Sequence, residues 1–203
     1  VTLNIQYVAV MKSFSVQSTR PSYGSTICSY PDWAMRDMAV SMGFCYPERL
    51  DSERLRETLA QVLSDFPDYA GRFRASRETL VIDHSHRGVV FEVAKSPKSF
   101  ATLMEDASRQ SSGSVLCPVM SARRAIQGKA PLFAARITET SDGCVLGVTW
   151  HHSVGDLAST LEVLNAWARA YGNTEYEVPE PVADRGHRLR GRRDRSASRV
   201  GAA

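Results

Sequence analysis

Residues 131–172 read PLFAARITETSDGCVLGVTWHHSVGDLASTLEVLNAWARAYG. Two apolar runs, PLFAARITE and CVLGVTW, flank TSDG, whose Asp142-Gly143 pair is a hairpin turn signal. The second run continues directly into His151 and His152. Leu157, Leu161, Leu164 and Ala168 then recur at helical spacing, and Gly172 supplies a C-terminal stop. The stretch predicts two strands, a tight connection and a helix. Its two histidines fall where a buried strand gives way to the helix, and Asp156 stands four residues after His152.

A neutral imidazole near pH 7 is matched to taking a proton from a hydroxyl or an amine. For that work its orientation must be fixed by the surrounding structure. Asp156 could orient the His152 ring, lock the loop that carries it, or cap the helix that starts at Leu157, and one carboxylate could do more than one of these. Gly155 permits backbone angles that a larger residue would resist. By itself His-x-x-x-Asp is a weak motif, so the rest of the chain has to be read with it.

Upstream, VTLNIQYVAVM places Val1, Leu3, Ile5, Tyr7, Ala9 and Met11 on one side of a period-two pattern, which predicts a half-buried strand. Residues 12–31 are rich in Ser, Thr, Pro and Gly and read as loop. AVSMGFCY alternates again, with Val40, Met42, Phe44 and Tyr46 on one face. The strongest helix signal is LDSERLRETLAQVLSDFPDYAGRF. There Leu55, Leu59, Val62, Leu63 and Phe66 form a stripe, Asp51 or Ser52 can cap, and Pro67 enforces a stop. After Gly71 come two short strands, TLVID and GVVFEVA, joined by a polar turn. Phe100, Leu103, Met104 and Ala107 suggest a second, short helix. The succession of strands and helices is mixed α/β (α+β), a two-layer mixed sheet covered by helices.

The chain has 203 residues, 43% hydrophobic and 23% charged, as expected of one soluble globular domain. No apolar run reaches the length needed to cross a bilayer. Cys28, Cys45, Cys117 and Cys144 are widely spaced with no Cys-x-x-Cys pair, which suits a reducing compartment and a cytoplasmic protein. Cys45 and Cys144 lie in strand patterns and are expected to pack as small hydrophobes. The net charge of +3 hides a division: RGHRLRGRRDRSASR, residues 185–199, has seven Arg and one Asp, a local +6, which leaves about −3 for the remainder. A nucleic-acid reader would carry its positive charge on the folded face instead, so no specific nucleic-acid role is expected. The expected division is a domain over residues 1–176, then a Pro-containing linker and an Arg-rich disordered tail over 177–203.

Three blocks, in order, resemble the N-terminal half of the BAHD acyltransferases, acyl-CoA-dependent enzymes that acylate alcohols and amines. They are LDSERLRETLAQVLSDFPDYAGRFR, VIDHSHRGVVFEVAKS and the stretch from Ala130 to Gly172 that contains HHSVGD. The likeness covers about residues 1–176 and is weakest from 97 to 130. It implies a chloramphenicol-acetyltransferase-like fold, with His152 as general base and Asp156 holding the geometry of the motif. His151 would be the preceding histidine and not the base. Acyl-CoA would be a cosubstrate rather than a resident cofactor, with a small alcohol or amine as acceptor and no membrane partner.

Two departures from the family pattern stand out. Leu157 occupies the position where the family usually has Gly, and the family's Asp-Phe-Gly-Trp-Gly segment does not occur. The resemblance therefore implies a fragment without the second half, and it leaves open whether the isolated chain is an enzyme. The rival readings are a non-catalytic binding module on the same fold and a single-domain trimeric acetyltransferase that completes its site across subunits. A peptide-synthetase condensation domain shares the motif but belongs in a far longer chain. His84-x-His86 could offer two metal ligands, but with no third ligand suggested a solvated loop is the expectation. Trp150 and Trp167 read as core, with acceptor stacking open to Trp150.

Overall fold

The computed structural model describes residues 8–75, 79–109, 115–180 and 183–185. In chain order the strands are β1 (Ala9–Val16), β2 (Ser25–Ile27), β3 (Ala39–Tyr46), β4 (Arg72–Ala75), β5 (Leu80–Asp83), β6 (Val89–Lys95), β7 (Phe133–Glu139) and β8 (Cys144–His151). The helices are α1 (Tyr30–Ala34), α2 (Ser52–Asp65), α3 (Pro67–Ala70), α4 (Phe100–Arg109), α5 (Ala122–Ile126) and α6 (Leu157–Tyr171). Five strands form one sheet in the order β1-β6-β7-β8-β3, with β6 and β7 parallel and the other neighbours antiparallel. A smaller antiparallel sheet has the order β2-β5-β4. This is the mixed α/β architecture expected, a sheet flanked by helices.

The hairpin β7–β8 forms as the stretch 131–172 predicts, in a register that pairs Glu139 with Cys144 and Phe133 with Trp150. Gly143 adopts φ 157 in the turn, a conformation that favours glycine. Every residue of β8 is buried, because the strand lies between β7 and β3 and is covered on both faces. On one face Leu146, Val148 and Trp150 join the main core with α2 and α6. On the other, Val145 packs in a smaller cluster with Leu103 of α4 and with Val115, Leu116 and Cys117.

Helix α2 follows its sequence signals closely. Asp51 caps it, accepting from the backbone N–H of Glu53 at 2.8 Å and of Arg54 at 3.3 Å. Leu55, Leu59, Val62 and Leu63 are buried, each contributing about 1.5–3 kcal/mol by leaving water. Trp167 of α6 ties the two helices by donating its indole N–H to Leu55 O at 3.0 Å. Both Trp150 and Trp167 are core residues, and Trp150 is too deeply buried for the acceptor stacking left open above.

Several expectations are corrected. Of the strand expected over residues 1–11, residues 1–7 lie outside the described residues, and β1 runs on to Val16. Residues 12–31, expected as loop, contain the rest of β1, then β2 and the start of α1. The Ser-rich register of β1 hides its pairing with β6 because an edge strand buries little of itself. TLVID and GVVFEVA do form strands, but the two do not pair with each other across the polar turn: β5 belongs to the small sheet and β6 to the large one. His84 is accordingly not in a solvated turn, its side chain being 13% exposed and bonded to Asp68. Cys45 is exposed on the outer side of edge strand β3, whereas Cys144 is buried as expected.

On α6 the predicted stripe and the buried face only partly coincide. Thr160, Val163, Leu164, Ala166 and Trp167 are buried, while Leu157 and Leu161 are exposed. Leu161, Leu164 and Ala168 line an apolar groove of about 310 Å³ with Phe44, Tyr46 and Leu50. Neither His152 nor Asp156 lines this groove.

Candidate active site

Strand β8 delivers the two histidines to different environments. His151 is the last residue of the strand, pairs with Ala39 and is fully buried. Its ring packs edge-on against Phe73, with centroids 4.7 Å apart. Nε2 donates to Arg36 O at 3.0 Å, and Nδ1 accepts from the Ser153 N–H at 3.2 Å. Those two partners require the neutral ring protonated at Nε2. Burial pushes the His151 pKa down to about 4, although the Arg36 carbonyl and the charge of Asp37 oppose the shift. His151 is therefore a neutral structural member near pH 7.

His152 follows at the strand end. Its backbone N–H donates to Met38 O at 3.0 Å, and the side chain is half-buried. Among the described residues no protein group hydrogen-bonds its ring. Every other part of the connection to α6 is tied down. Ser153 Oγ donates to Asp32 O at 2.6 Å, and the Val154 N–H donates to His151 O at 2.9 Å. Arg185 donates to Val154 O at 3.0 Å, and the Trp150 indole N–H donates to Gly155 O at 3.0 Å.

Asp156 caps α6. Its Oδ1 accepts from the backbone N–H and the hydroxyl of Ser159, both at 2.8 Å. Those two bonds, with a smaller contribution from the charge of His152, hold its carboxyl below the usual carboxylate range. It makes no hydrogen bond to the His152 ring among the described residues. The capping role named from sequence is thus the observed one.

Two of the three blocks that carry the resemblance meet in space. Tyr69, from FPDYAGRF, is buried under Gly155 and shares a hydrogen bond of 3.0 Å with Thr160 of α6. A Cβ on Gly155 would stand 2.4 Å from the Tyr69 hydroxyl and 3.2 Å from Ser159 Cβ. The sequence reading expected glycine here for its backbone angles. The structure corrects this: φ at Gly155 is not among the positive ones, and close approach is what requires the missing side chain.

Gly155→Ala is expected to cost about 1–3 kcal/mol of stability by overpacking. Tyr69→Phe in the same chain should recover part of that loss by removing the obstructing oxygen. Urea unfolding of the two single variants and the double variant measures the coupling. A Gly155→Ala protein as stable as the parent would contradict the packing described.

Sequence reasoning missed a second tier. Asp68 accepts from Thr26 Oγ1 at 2.7 Å and lies 2.8 Å from His84 Nε2. Burial alone would raise the Asp68 pKa, but the bond to His84, the charge of Arg185 and the bond to Thr26 outweigh it, and the group is held low. Asp68 stood in a quoted block without an assigned role. Arg185 had no signal at all, being one arginine of seven in a basic stretch. His84 and His86 do not converge: His86 Nδ1 pairs with Ser18 Oγ at 2.8 Å.

With this geometry in hand, the comparisons identify the lineage. The family described as Transferase family matches residues 36–200, from before β3 to beyond the last described residue. The chain belongs to that family, the BAHD acyltransferases. Among curated relatives, rosmarinate synthase of Plectranthus scutellarioides is 29% identical over 136 residues, which is 66% of this chain and 31% of that protein. Among solved structures, vinorine synthase superposes with a TM-score of 0.70 at 20% identity, covering 90% of this chain and 47% of that one. F. sporotrichioides TRI101, complexed with coenzyme A and T-2, gives a TM-score of 0.57 at 14% identity, covering 75% and 42%. The structural likenesses establish a chloramphenicol-acetyltransferase-like fold for this BAHD chain. The chain spans about a third of the length of its curated relative and about half that of vinorine synthase.

Proposed function

We propose that this chain carries the base-bearing part of an acyltransferase that moves an acyl group from a CoA thioester to a hydroxyl or amine. The observation that supports this best is the contrast at the end of β8. The connection from His151 to Asp156 is bonded throughout, while the His152 ring is left available beside it. Such a placement suits a general base, which must be held by its backbone and free at its ring.

In the proposed step His152 takes the proton of the acceptor O–H or N–H as that atom attacks the thioester carbonyl. The carbonyl carbon becomes tetrahedral, the C–S bond then breaks, and the CoA thiolate leaves with the proton returned from His152. No acyl-enzyme is formed, because the acceptor attacks directly. Asp156 contributes by fixing the start of α6 and through it the turn, and His151 by fixing the strand end. Coenzyme A in the TRI101 structure is consistent with a CoA cosubstrate for the family.

The alternative of a non-catalytic module on the same fold is favoured by one fact, the limited share of its relatives that the chain spans. One experiment separates the two. The purified chain is titrated with CoA and acetyl-CoA by calorimetry, its mass in solution is measured, and thiol release is followed with acetyl-CoA and a panel of alcohols and amines. Saturable binding with acceptor-dependent thiol release is the expected result. A folded monomer that binds neither ligand would overturn the catalytic reading for this chain.

A further inference from the structure

We infer that Arg185 is a positioning residue for the His152 turn, reaching it from a strap of chain that returns after α6. The strap is visible in two stretches. Thr174 N donates to Arg169 O at 2.8 Å, and the Tyr176 hydroxyl donates to Asp65 Oδ2 at 2.7 Å, which holds the chain against the end of α2. Residues 183–185 then lie along β2. Ile27 N donates to Ala183 O at 2.8 Å, Arg185 N donates to Ile27 O at 3.0 Å, and Ile27 forms a parallel bridge with Asp184. The arginine-rich stretch expected to be disordered thus opens on a residue held by backbone and side chain alike, while residues 186–203 lie outside the described residues.

The guanidinium ends in a preformed acidic hole. Nη1 donates to Val154 O at 3.0 Å and lies 3.7 Å from Asp32 Oδ2, and Nη2 donates to Asp68 Oδ2 at 2.5 Å. The side chain is 25% exposed, and each carboxylate 19%. Both carboxylates are fixed independently of the arginine. Asp32 accepts from the Ser29 N–H at 2.8 Å in the capping box of α1, and Asp68 is held by Thr26 and His84. Two poorly solvated carboxylates and one carbonyl need a cation, and leaving them without one is costly. Two acceptors taken by separate nitrogens, with a second carboxylate 3.7 Å away, suit the forked guanidinium better than the single ammonium of lysine.

Arg185 bears on the turn by two routes. It bonds Val154 O, two residues past His152, directly. It also sits against Asp32, whose backbone carbonyl accepts the Ser153 hydroxyl. The residue therefore links the strap, α1, α3 and the His152 turn at one point. Its role in turnover rests on the acyl-transfer reading; its role in ordering the turn does not.

The test uses the full 203-residue chain with Arg185→Ala and Arg185→Lys. Amide exchange at residues 153–157 should quicken at least about tenfold in Arg185→Ala, with β8 residues 145–150 changed less than about twofold. Lysine should restore protection only in part, and added guanidinium ion should restore it in Arg185→Ala. Where the parent transfers acyl groups, kcat should fall at least about tenfold with KM for the CoA thioester within about twofold. Unchanged exchange in a folded Arg185→Ala protein, or exchange raised evenly over the whole chain, would overturn the inference. If the alanine variant does not fold, Arg185→Lys decides, and parent-like protection in it overturns the inference. A parent with no acyl transfer defeats the catalytic reading but leaves the exchange result to decide the role of Arg185.

Discussion

His152→Ala is expected to lower CoA-thioester-dependent acylation by about 10²–10⁴-fold, the range a positioned general base supplies. The fold should be indifferent to the change. The ring is half-buried and makes no hydrogen bond among the described residues, while its backbone N–H, which the variant keeps, holds Met38 O. The midpoint of thermal unfolding should therefore stay within about 2 °C of the parent, as for other substitutions that break no buried contact. Thiol release with saturating donor and acceptor, together with a thermal melt, measures both quantities. The mechanism also predicts that a strongly nucleophilic acceptor suffers less from the loss than an ordinary alcohol, because it needs less help in losing its proton. A variant that retains most of the parent rate would remove His152 from the mechanism.

The second large effect is acid lability through His151. Its folded pKa of about 4 lies below the ordinary value of about 6.5 expected when unfolded. Between those values the unfolded chain takes up a proton that the folded chain refuses, so stability falls as pH falls. The slope is about 1.4 kcal/mol per pH unit, and the loss from this residue is complete near pH 4, at about 3 kcal/mol. Well above pH 6.5 the ring is neutral in both states and contributes no pH dependence.

Urea midpoints between pH 7.5 and 4.5 should therefore decline more steeply for the parent than for His151→Gln. The glutamine variant will be weaker at pH 7.5 but lacks the titrating ring. Asp68 and Asp156, both held below the usual carboxylate range, act at lower pH and are common to both proteins. Parallel curves for the two proteins would mean that His151 does not titrate on unfolding. The same protonation would turn Nδ1 from acceptor into donor and repel the Ser153 N–H. Acid should thus loosen the His152 turn before it unfolds the chain.

These two histidines show how far the sequence could be read. That both stand where a strand gives way to a helix was legible, because the apolar run ends at Trp150 and a capping Asp156 follows; which of the two the strand buries was not. Helix α2 and the β7–β8 hairpin were equally plain, since each buries one continuous stripe or strand and carries its own cap or turn glycine. Strands β2 and β4, and β1 beyond Met11, were not legible. They are short or lie at sheet edges, where few side chains need to be apolar and the pairing partner supplies the stability. The exposure of Cys45 has the same origin, for a period-two pattern places residues on faces without saying which face is covered.

What the sequence alone determined was local: where the backbone turns, which stripes are apolar, and that a histidine and a capping aspartate stand at one strand-to-helix junction. The tertiary structure alone decided which distant groups hold that junction. Tyr69 beneath Gly155, Trp150 on the Gly155 carbonyl, and Asp32, Asp68 and Arg185 around Val154 come from segments as far apart in the chain as Asp32 and Arg185. Periodicity and capping act within a few residues and leave a pattern in the sequence. Hydrogen bonds and ion pairs between remote segments leave none, and an arginine that pins a turn is spelled like one that only faces water.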